Sequence, residues 1–396
     1  MNKIRKGSII YGVFLLFGGL ILVSCGGSSS SGGLGGGGGS TAVPGEIAFV
    51  ATTDFATGSY STINLRNLTA NQDLPSQVGI IESDNWALYH NNKVYVINRF
   101  GFDNITVLDT ADLSRAVTQF STGNGTNPQD MAFVSDTKAY VSLLERSNDL
   151  LVVDPTAPPG AEITSTIDLS GFLDGDQDGF VEAGPMAMVG TTLFVALQRL
   201  DSFVASRPGV LAVIDTTTDT LFDVDPGTPG TQGIVLTGQN PAYMDYDANL
   251  GKIVVSEVGN FGVPDGGIET VDPRTFVAEG FMITENDLGD DVGDVIIVDG
   301  LKGYAVVGGF AGQGVTVFDV DVDPVTGVIT GSNPGDLVTG LPFVPDLALD
   351  SAKRLLVPDR DLINPGIRIY DTFTDQEITT DPINVGLPPN AIVNLF

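Results

Sequence analysis

The stretch LAVIDT, residues 211–216, is an apolar run with the β-branched content of a strand, and it ends on an aspartate. Five more runs of this kind also end on an aspartate: ITVLDT at 105–110, LLVVDP at 150–155, IETVDP at 268–273, VTVFDV at 315–320 and IRIYDT at 367–372. The six aspartates recur every 45 to 61 residues, a period typical of repeats that each form one four-stranded blade of a β-propeller. We expect these aspartates to cap the turns that follow them.

Two further strand classes give the number of blades. The first class follows polar or proline-containing turns, and its members are NWALYH at 85–90, DMAFV at 130–134, MAMV at 186–189, AYMDY at 242–246, DVIIV at 294–298, DLALD at 346–350 and NAIVNLF at 390–396. The second class runs from EIAFVA at 46–51 to RLLVPD at 354–359 and also has seven members. The aspartate-ended class reaches seven when the degenerate STINLRN at 61–67 is included. The sequence therefore predicts an all-β, seven-bladed propeller of four-stranded antiparallel blades.

The order of the classes predicts how the ring closes. The domain begins with a second-class strand at 46–51 and ends with a first-class strand at 390–396. The C-terminal strand should therefore join the N-terminal blade, which we number blade 1, with blades 2 to 7 following in chain order. Such closure leaves no free sheet edge to recruit another chain.

The repeat resembles that of the YVTN-type bacterial propellers. The likeness is carried by KVYVIN at 93–98, KAYVSL at 138–143 and LAVIDTTTDT at 211–220, although no blade keeps the full YVTN tetrapeptide. The resemblance implies the propeller fold. It implies no particular reaction, because functions on this fold depend on its loops.

The N-terminal 45 residues read as targeting sequence. Residues 1–24 combine a basic start, an apolar stretch and the motif Leu22-Val23-Ser24-Cys25, which looks like the lipobox of a bacterial lipoprotein signal peptide. Residues 25–45 then form a lipidated Cys25 and a Gly/Ser-rich linker, and residues 46–396 form the propeller. We expect a lipid anchor in the bacterial outer membrane, facing the periplasm or the cell surface. The alternative is an uncleaved anchor helix with an incidental cysteine.

The charge balance limits the partners. The chain has 18 basic and 49 acidic side chains and a formal net charge of −31. Nucleic acid is disfavoured as a partner, because its recognition needs cationic patches. Divalent cations or an unidentified protein or small molecule remain open, and the acidity could equally serve solubility alone.

The sharpest local motif is DGDQDGFVE at 174–182. It offers the carboxylates of Asp174, Asp176 and Asp178, the backbone carbonyl of Phe180 and the carboxylate of Glu182, in the spacing of a calcium-binding loop. The twelfth position, where an EF-hand has glutamate, is Pro185. We expect an isolated Ca²⁺ loop that stabilises the fold, and the alternative is a solvated acidic turn.

A second candidate site lies at the mouth of the central channel. First strands begin and second strands end on the same face of a propeller, which places seven charged residues there: Asp130, Asp294, Asp346, Arg99, Arg146, Arg199 and Arg360. Antiparallel pairing predicts that Asp130 lies near Arg146 and Asp346 near Arg360. These arginines could bind a carboxylate or phosphate, or the pairs could serve the structure alone. Asp294 has no basic partner in its blade and is the aspartate most suited to a metal or water.

Several reaction classes are excluded by composition. His90 is the only histidine and Cys25 the only cysteine, so a histidine-based triad, a histidine-ligated metal and covalent haem attachment are ruled out. We expect neither haem nor a nucleotide cofactor. The interpretation we favour is a binding or scaffolding module, stabilised by calcium, that is not an enzyme. The alternative is a metal-dependent propeller hydrolase of the lactonase type, with Asp294, Asp346 or Asp130 holding the metal.

Overall fold

The computed structural model describes residues 46–74, 81–309 and 311–395. The described residues form seven blade sheets and one short hairpin, and the blades are arranged in a ring with their first strands innermost, which confirms the seven-bladed propeller. The signal peptide, Cys25 and the linker lie outside the described residues. In the described ranges, no helix is long and apolar enough to cross a membrane.

The first four blades have these strands, from the channel outward. Blade 1 consists of Pro389–Leu395, Ile47–Thr53, Gly58–Asn64 and Thr69–Leu74. Blade 2 consists of Asn85–His90, Lys93–Asn98, Asn104–Asp109 and Asp112–Ser121. Blade 3 consists of Pro128–Ser135, Lys138–Leu143, Asp149–Val153 and Ile163–Asp168. Blade 4 consists of Ala183–Val189, Thr192–Leu197, Val210–Asp215 and Thr220–Phe222, with Ile234–Val235 also paired to the third strand.

The last three blades repeat the pattern. Blade 5 consists of Pro241–Asp247, Lys252–Glu257, Gly267–Asp272 and Val277–Thr284. Blade 6 consists of Val292–Val298, Lys302–Gly309, Gly312–Val322 and Ile329–Leu341. Blade 7 consists of Ala348–Leu349, Arg354–Asp359, Gly366–Asp371 and Gln376–Glu377, with Ile383–Asn384 also paired to the third strand.

Short elements in the loops complete the architecture. A two-residue hairpin, Leu200–Asp201 with Val204–Ala205, lies between the second and third strands of blade 4. A 3₁₀ turn at Ser170–Phe172 and a single α-helical turn at Glu285–Leu288 lie in the connections that lead into blades 4 and 6.

The ring closes as the sequence predicts. The C-terminal strand pairs antiparallel with the first strand of the N-terminal segment, with Val50 opposite Ile392 and Ile47 opposite Leu395. The core lies between the blades, where buried side chains of adjacent sheets pack together; one cluster joins Tyr60 of blade 1, Trp86 of blade 2 and Met131 of blade 3. Removing one blade would therefore expose the apolar faces of two others.

The recurring aspartates act as turn formers, as expected. Five of the six accept a hydrogen bond from the backbone N–H two residues later, and these are Asp109, Asp154, Asp215, Asp272 and Asp371. Asp319 differs, because it lies inside the long strand Gly312–Val322 and accepts a hydrogen bond from the side chain of Asn333 instead. The aspartates that reveal the repeat therefore stabilise the turns that follow them.

Candidate functional site at the ring closure

The four arginines that end the second strands occupy different environments. Arg99 and Arg360 are 3 % and 5 % exposed and lie where blades 7, 1 and 2 meet. Arg199 is half-buried and donates to backbone carbonyls of Pro208 and Asp174, and Arg146 is exposed. The expected common rim of arginines is therefore not formed, and the structure brings only Arg99 and Arg360 to one place.

Arg99 forms a buried ion pair with Asp84. Its Nη2 lies 2.8 Å and its Nε 2.9 Å from Asp84 Oδ1. The pairing follows from the strand register, since Asn85 lies opposite Asn98 and the next residues outward are therefore Asp84 and Arg99. The guanidinium also lies 5.7 Å from the ring centre of Trp86. This geometry holds one acidic and one basic group at a fixed place near the channel mouth.

Arg360 joins blade 7 to the two inner strands of blade 1. Its Nη1 donates to the backbone carbonyl of Pro389 at 2.8 Å and to Asn390 Oδ1 at 3.3 Å, and its Nη2 donates to the carbonyl of Thr53 at 2.9 Å. The ring of Phe55 stacks on the guanidinium at 4.4 Å, and Phe343 lies at 5.9 Å. One side chain of blade 7 thus holds both chain ends of blade 1.

Two asparagines connect these arginines. Asn390 accepts from Arg360 and donates to the backbone carbonyl of Asn85. The amide of Asn85 donates to the carbonyl of Thr52 at 3.2 Å, and Asn85 directly follows Asp84. We call this connected group the closure site; its members are Thr52, Asp84, Asn85, Trp86, Arg99, Arg360 and Asn390.

The closure site concentrates buried polar atoms that have no protein partner. Within the described residues, twelve buried side-chain atoms lack a hydrogen bond, and five of them belong to this one group. They are Thr52 Oγ1, Asp84 Oδ2, Asn85 Oδ1, Trp86 Nε1 and Arg99 Nη1. Each such atom costs about 1–3 kcal/mol when left unsatisfied in a protein interior. The set offers both donors and acceptors to a polar ligand or to ordered water.

The channel aspartates have other partners than the arginines expected for them. Asp130 accepts from the backbone N–H of Met186 at 2.8 Å, and Asp346 accepts from that of Ile392 at 2.7 Å. The expected ion pairs with Arg146 and Arg360 are not formed among the described residues. The reason in blade 3 is a register shift between Pro128 and Met131, which turns Asp130 toward the next blade.

Asp294, like Asp130 and Asp346, accepts a hydrogen bond from the backbone of the next blade. Its carboxyl group accepts from the N–H of Leu347 at 2.6 Å, in the first-strand region of the next blade. Burial raises the pKa of Asp130 to about 7. Burial also raises the pKa of Asp294, and burial together with the negative charge of Asp294 raises the pKa of Asp346. Whether Asp294 needs a metal or water stays a prediction.

The DGDQDGFVE loop is held by a side chain that the sequence analysis overlooked. Arg207 Nη1 lies 3.1 Å from Asp176 Oδ2, and its Nη2 pairs with Asp201 of the adjoining hairpin. Asp178 accepts from the N–H of Ser202 at 2.8 Å, so the loop and the hairpin are joined. The guanidinium lies against the carboxylate that would be central to a calcium site.

The remaining predicted calcium ligands do not converge in this arrangement. Asp174 contributes its backbone carbonyl to Arg199, and Glu182 accepts from the N–H of Leu200. Burial, and repulsion by Asp178, raise the pKa of Glu182 to about 9. In the described part of the chain, no three His, Cys, Asp or Glu side chains come together in a way that could hold a metal ion. Calcium binding stays a prediction, one that must now account for Arg207.

Comparison with known proteins extends the fold assignment. No protein-family model and no curated protein matches the chain. Among solved structures, the periplasmic gluconolactonase of Pseudomonas aeruginosa matches with a TM-score of 0.58 and 13 % identity, over 89 % of this chain and 99 % of that one. A Bacteroides fragilis protein with a provisional 6-phosphogluconolactonase assignment matches with a TM-score of 0.61 and 14 % identity, over 89 % and 98 %. A Lactobacillus plantarum protein matches with a TM-score of 0.60 and 14 % identity, over 89 % and 99 %.

These neighbours correct the functional interpretation. At such identities the likeness itself shows a shared propeller fold and no more. The preference for a binding or scaffolding module that is not an enzyme is nevertheless wrong on this comparison, since those of the three with a named activity are lactonases. The lactonase type was the alternative interpretation of the sequence, and the chain is a seven-bladed propeller whose structural neighbours include lactonases.

Proposed function

We propose that this protein is a lactonase that opens a polyhydroxylated, sugar-type lactone at the closure site. The observation that carries the proposal is that five unpartnered buried polar atoms belong to one connected group of residues, which includes the Asp84–Arg99 pair. A sugar lactone presents a carbonyl and several hydroxyl groups, which would satisfy such a mixed set of donors and acceptors. The lactonase names among the structural neighbours agree with this assignment.

Asp84 acts as the general base, and Arg99 stabilises the oxyanion. Asp84 Oδ1 is engaged by Arg99, and its unpartnered Oδ2 is the acceptor for a proton from the attacking water. The water oxygen bonds to the lactone carbonyl carbon, and the carbonyl oxygen becomes an oxyanion. Arg99 Nη1 is the unpartnered donor for that oxyanion. The bond from the carbonyl carbon to the ring oxygen then breaks, and the proton held by Asp84 passes to the ring oxygen, giving a hydroxy acid.

Three neighbouring side chains position the substrate for this sequence. Thr52, Asn85 and Trp86 orient the substrate through its hydroxyl groups. Trp86 Nε1 is a second donor available to the oxygen atoms of the ring.

Hydrolysis of D-glucono-1,5-lactone tests the proposal. Proton release at pH 6.5 is followed with and without the protein, because this class of lactone also opens spontaneously. We expect a saturable rate that exceeds the spontaneous rate and scales with protein concentration. Rates equal to those of buffer, across this lactone and a panel of five- and six-membered sugar lactones, would refute a lactonase.

We further propose that the enzyme works in the cell envelope as a lipoprotein of the YVTN-type propellers. The leader at 1–24, Cys25 and the Gly/Ser linker support attachment to the outer membrane through a lipid anchor. A neighbour named as periplasmic fits this location. Mass spectrometry of the protein from native membranes tests it, since an acylated N-terminal Cys25 is expected and an intact leader would contradict it.

A further inference from the structure

Arg360 is a buried cation that forms no ion pair with another described residue. Three cationic side chains of the described ranges are less than a tenth exposed: Arg99, Lys252 and Arg360. Arg99 pairs with Asp84, and Lys252 pairs with Asp272 and Glu279. Arg360 has hydrogen bonds only to neutral oxygens, those of Pro389, Asn390 and Thr53. In a chain with a net charge of −31, such isolation of a positive charge calls for an explanation.

The nearest acid does not neutralise it. Asp54 favours the charged form of Arg360 from a distance, but its carboxylate accepts from the N–H groups of Ala56 and Thr57 and from the hydroxyl of Thr57. Burial lowers the pKa of Arg360 to about 10, so the side chain is still charged at neutral pH. The charge is held in place by stacking and by neutral acceptors, and it is available to an incoming anion.

Two aromatic rings lie close to the guanidinium of Arg360. Phe55 covers the face of the guanidinium at 4.4 Å, and Phe343 lies 5.9 Å away. An arginine has five N–H donors in its plane, and the described residues accept three hydrogen bonds from it. An anion would therefore meet Arg360 edge-on, in the geometry that suits a carboxylate.

Arg360 is also connected directly to the proposed reaction centre. Asn390, which accepts from Arg360, donates to the carbonyl of Asn85, and Asn85 adjoins Asp84. The asparagine pair thus lies between Arg99 and Arg360 in one chain of contacts. A neutral lactone has no anionic group, but its hydrolysis creates a carboxylate beside Asp84. Once Asp84 is ionised again it repels this carboxylate, so the released hydroxy acid would turn its carboxylate toward Arg360.

We infer that Arg360 forms a carboxylate subsite that binds the hydroxy acid released by lactone opening, so that the enzyme retains its product. This inference rests on the proposed function for the identity of the ligand. It gives Arg360 a role separate from the chemical step, which belongs to Asp84 and Arg99. The hydroxy acid therefore acts as a competitive inhibitor at neutral pH.

Trp86 provides a direct readout in the wild-type protein. It is the only tryptophan of the chain, it is buried, and it lies 5.7 Å from the guanidinium of Arg99. Its fluorescence is titrated with sodium gluconate and, as a matched neutral polyol, with sorbitol, at constant ionic strength. We expect gluconate to bind at least tenfold more tightly than sorbitol. Equal affinities would overturn the inference, and so would tighter binding of inorganic phosphate than of gluconate.

Variants assign the effect to Arg360. Arg360→Gln should weaken gluconate binding at least tenfold and leave sorbitol binding unchanged. The gluconate affinity of Arg360→Lys should lie between those of Arg360→Gln and the wild type. Arg368→Gln is the control, because Arg368 lies in the same blade but is paired with Asp359 and Glu377. If Arg360→Gln does not fold, Arg360→Lys measured beside Arg368→Gln still decides, because reduced gluconate affinity in Arg360→Lys alone assigns the carboxylate to Arg360. Wild-type affinity for gluconate in a folded Arg360→Gln protein would contradict the subsite.

The two proposals fail separately. Selective gluconate binding without lactone hydrolysis would remove the proposed reaction and leave the carboxylate subsite. Lactone hydrolysis without selective gluconate binding would leave the reaction and remove the subsite.

Discussion

The carboxyl group of Asp346 accepts a hydrogen bond at 2.7 Å from the backbone N–H of Ile392, and this contact joins blade 7 to the closing strand of blade 1. The first strand of each blade has no further strand on its channel side, so the N–H groups along that edge need other acceptors. Asp130 and Asp294 provide the same kind of contact to the blades that follow them. Buried aspartates thus link the blades where the backbone alone cannot.

These links predict that stability falls as the pH rises through neutrality. Burial raises the pKa of folded Asp130 to about 7, above the value of about 3.9 in an unfolded chain. The unfolded chain therefore loses this proton first, so the stabilisation is complete below pH 4 and disappears as the pH approaches 7. A group with a lowered pKa, such as Asp272, stabilises the folded state at neutral pH. This stabilisation is lost only below about pH 4, so it does not change between pH 5 and pH 8. Thermal unfolding followed by circular dichroism should show a lower Tm at pH 8 than at pH 5.

Asp130→Asn isolates one of these groups. The variant cannot ionise at this position, and a tenfold change in an ionisation constant corresponds to about 1.4 kcal/mol. We expect its Tm to depend less on pH between 5 and 8 than that of the wild type. Asp112→Asn, in an exposed ion pair with Arg115, should keep the wild-type slope. A Tm that rises from pH 5 to pH 8 would show that these aspartates are ionised in the folded protein.

Loss of the closing strand should unfold the whole ring. Deletion of residues 391–396 removes most of the strand Pro389–Leu395 and its pairing with Ile47–Thr53. It also removes the N–H of Ile392, which donates a hydrogen bond to Asp346. We expect the shortened protein to lose its cooperative thermal transition, whereas deletion of residues 1–45 should leave that transition in place. A shortened protein that melts cooperatively near the wild-type Tm would show that closure contributes little.

Calcium binding to the loop at 174–182 should be limited by Arg207. A Ca²⁺ ion must compete with the guanidinium for Asp176, so we expect weak binding to the wild type in isothermal titration calorimetry. Arg207→Gln should tighten binding about tenfold, equivalent to about 1.4 kcal/mol. Arg115→Gln, which alters an exposed ion pair in blade 2, should leave it unchanged. The calcium prediction is wrong if neither the wild type nor Arg207→Gln binds the ion.

The fold could be predicted because its signals are local. An apolar strand followed by an aspartate that caps the next turn is readable in a single repeat, as Asp215 and Asp371 illustrate. The seam between the chain ends could also be predicted, since the order of strand classes requires it. Pairing across a regular register was predictable in principle: Asp84 faces Arg99 because Asn85 faces Asn98.

The site could not be assembled from the sequence for two physical reasons. A register shift next to Asp130 lets its Oδ2 accept from Met186 of the next blade, and no sequence pattern marks such a shift. Contacts between elements distant in the chain, such as Arg360 with Thr53 and Arg207 with Asp176, depend on how loops of different blades meet. The unpartnered atoms of the closure site become visible only when every hydrogen bond is assigned.

The most direct test is the rate of D-glucono-1,5-lactone hydrolysis by Asp84→Asn, measured beside Asp112→Asn. Both variants remove an acid that pairs with an arginine in blade 2, but only Asp84 has an unpartnered buried oxygen at the closure site. General base catalysis contributes about 10²–10⁴-fold to a rate. We predict a loss of that size in kcat for folded Asp84→Asn and wild-type kcat for Asp112→Asn. A folded Asp84→Asn protein that hydrolyses the lactone at the wild-type rate would contradict the assignment of the reaction to the closure site.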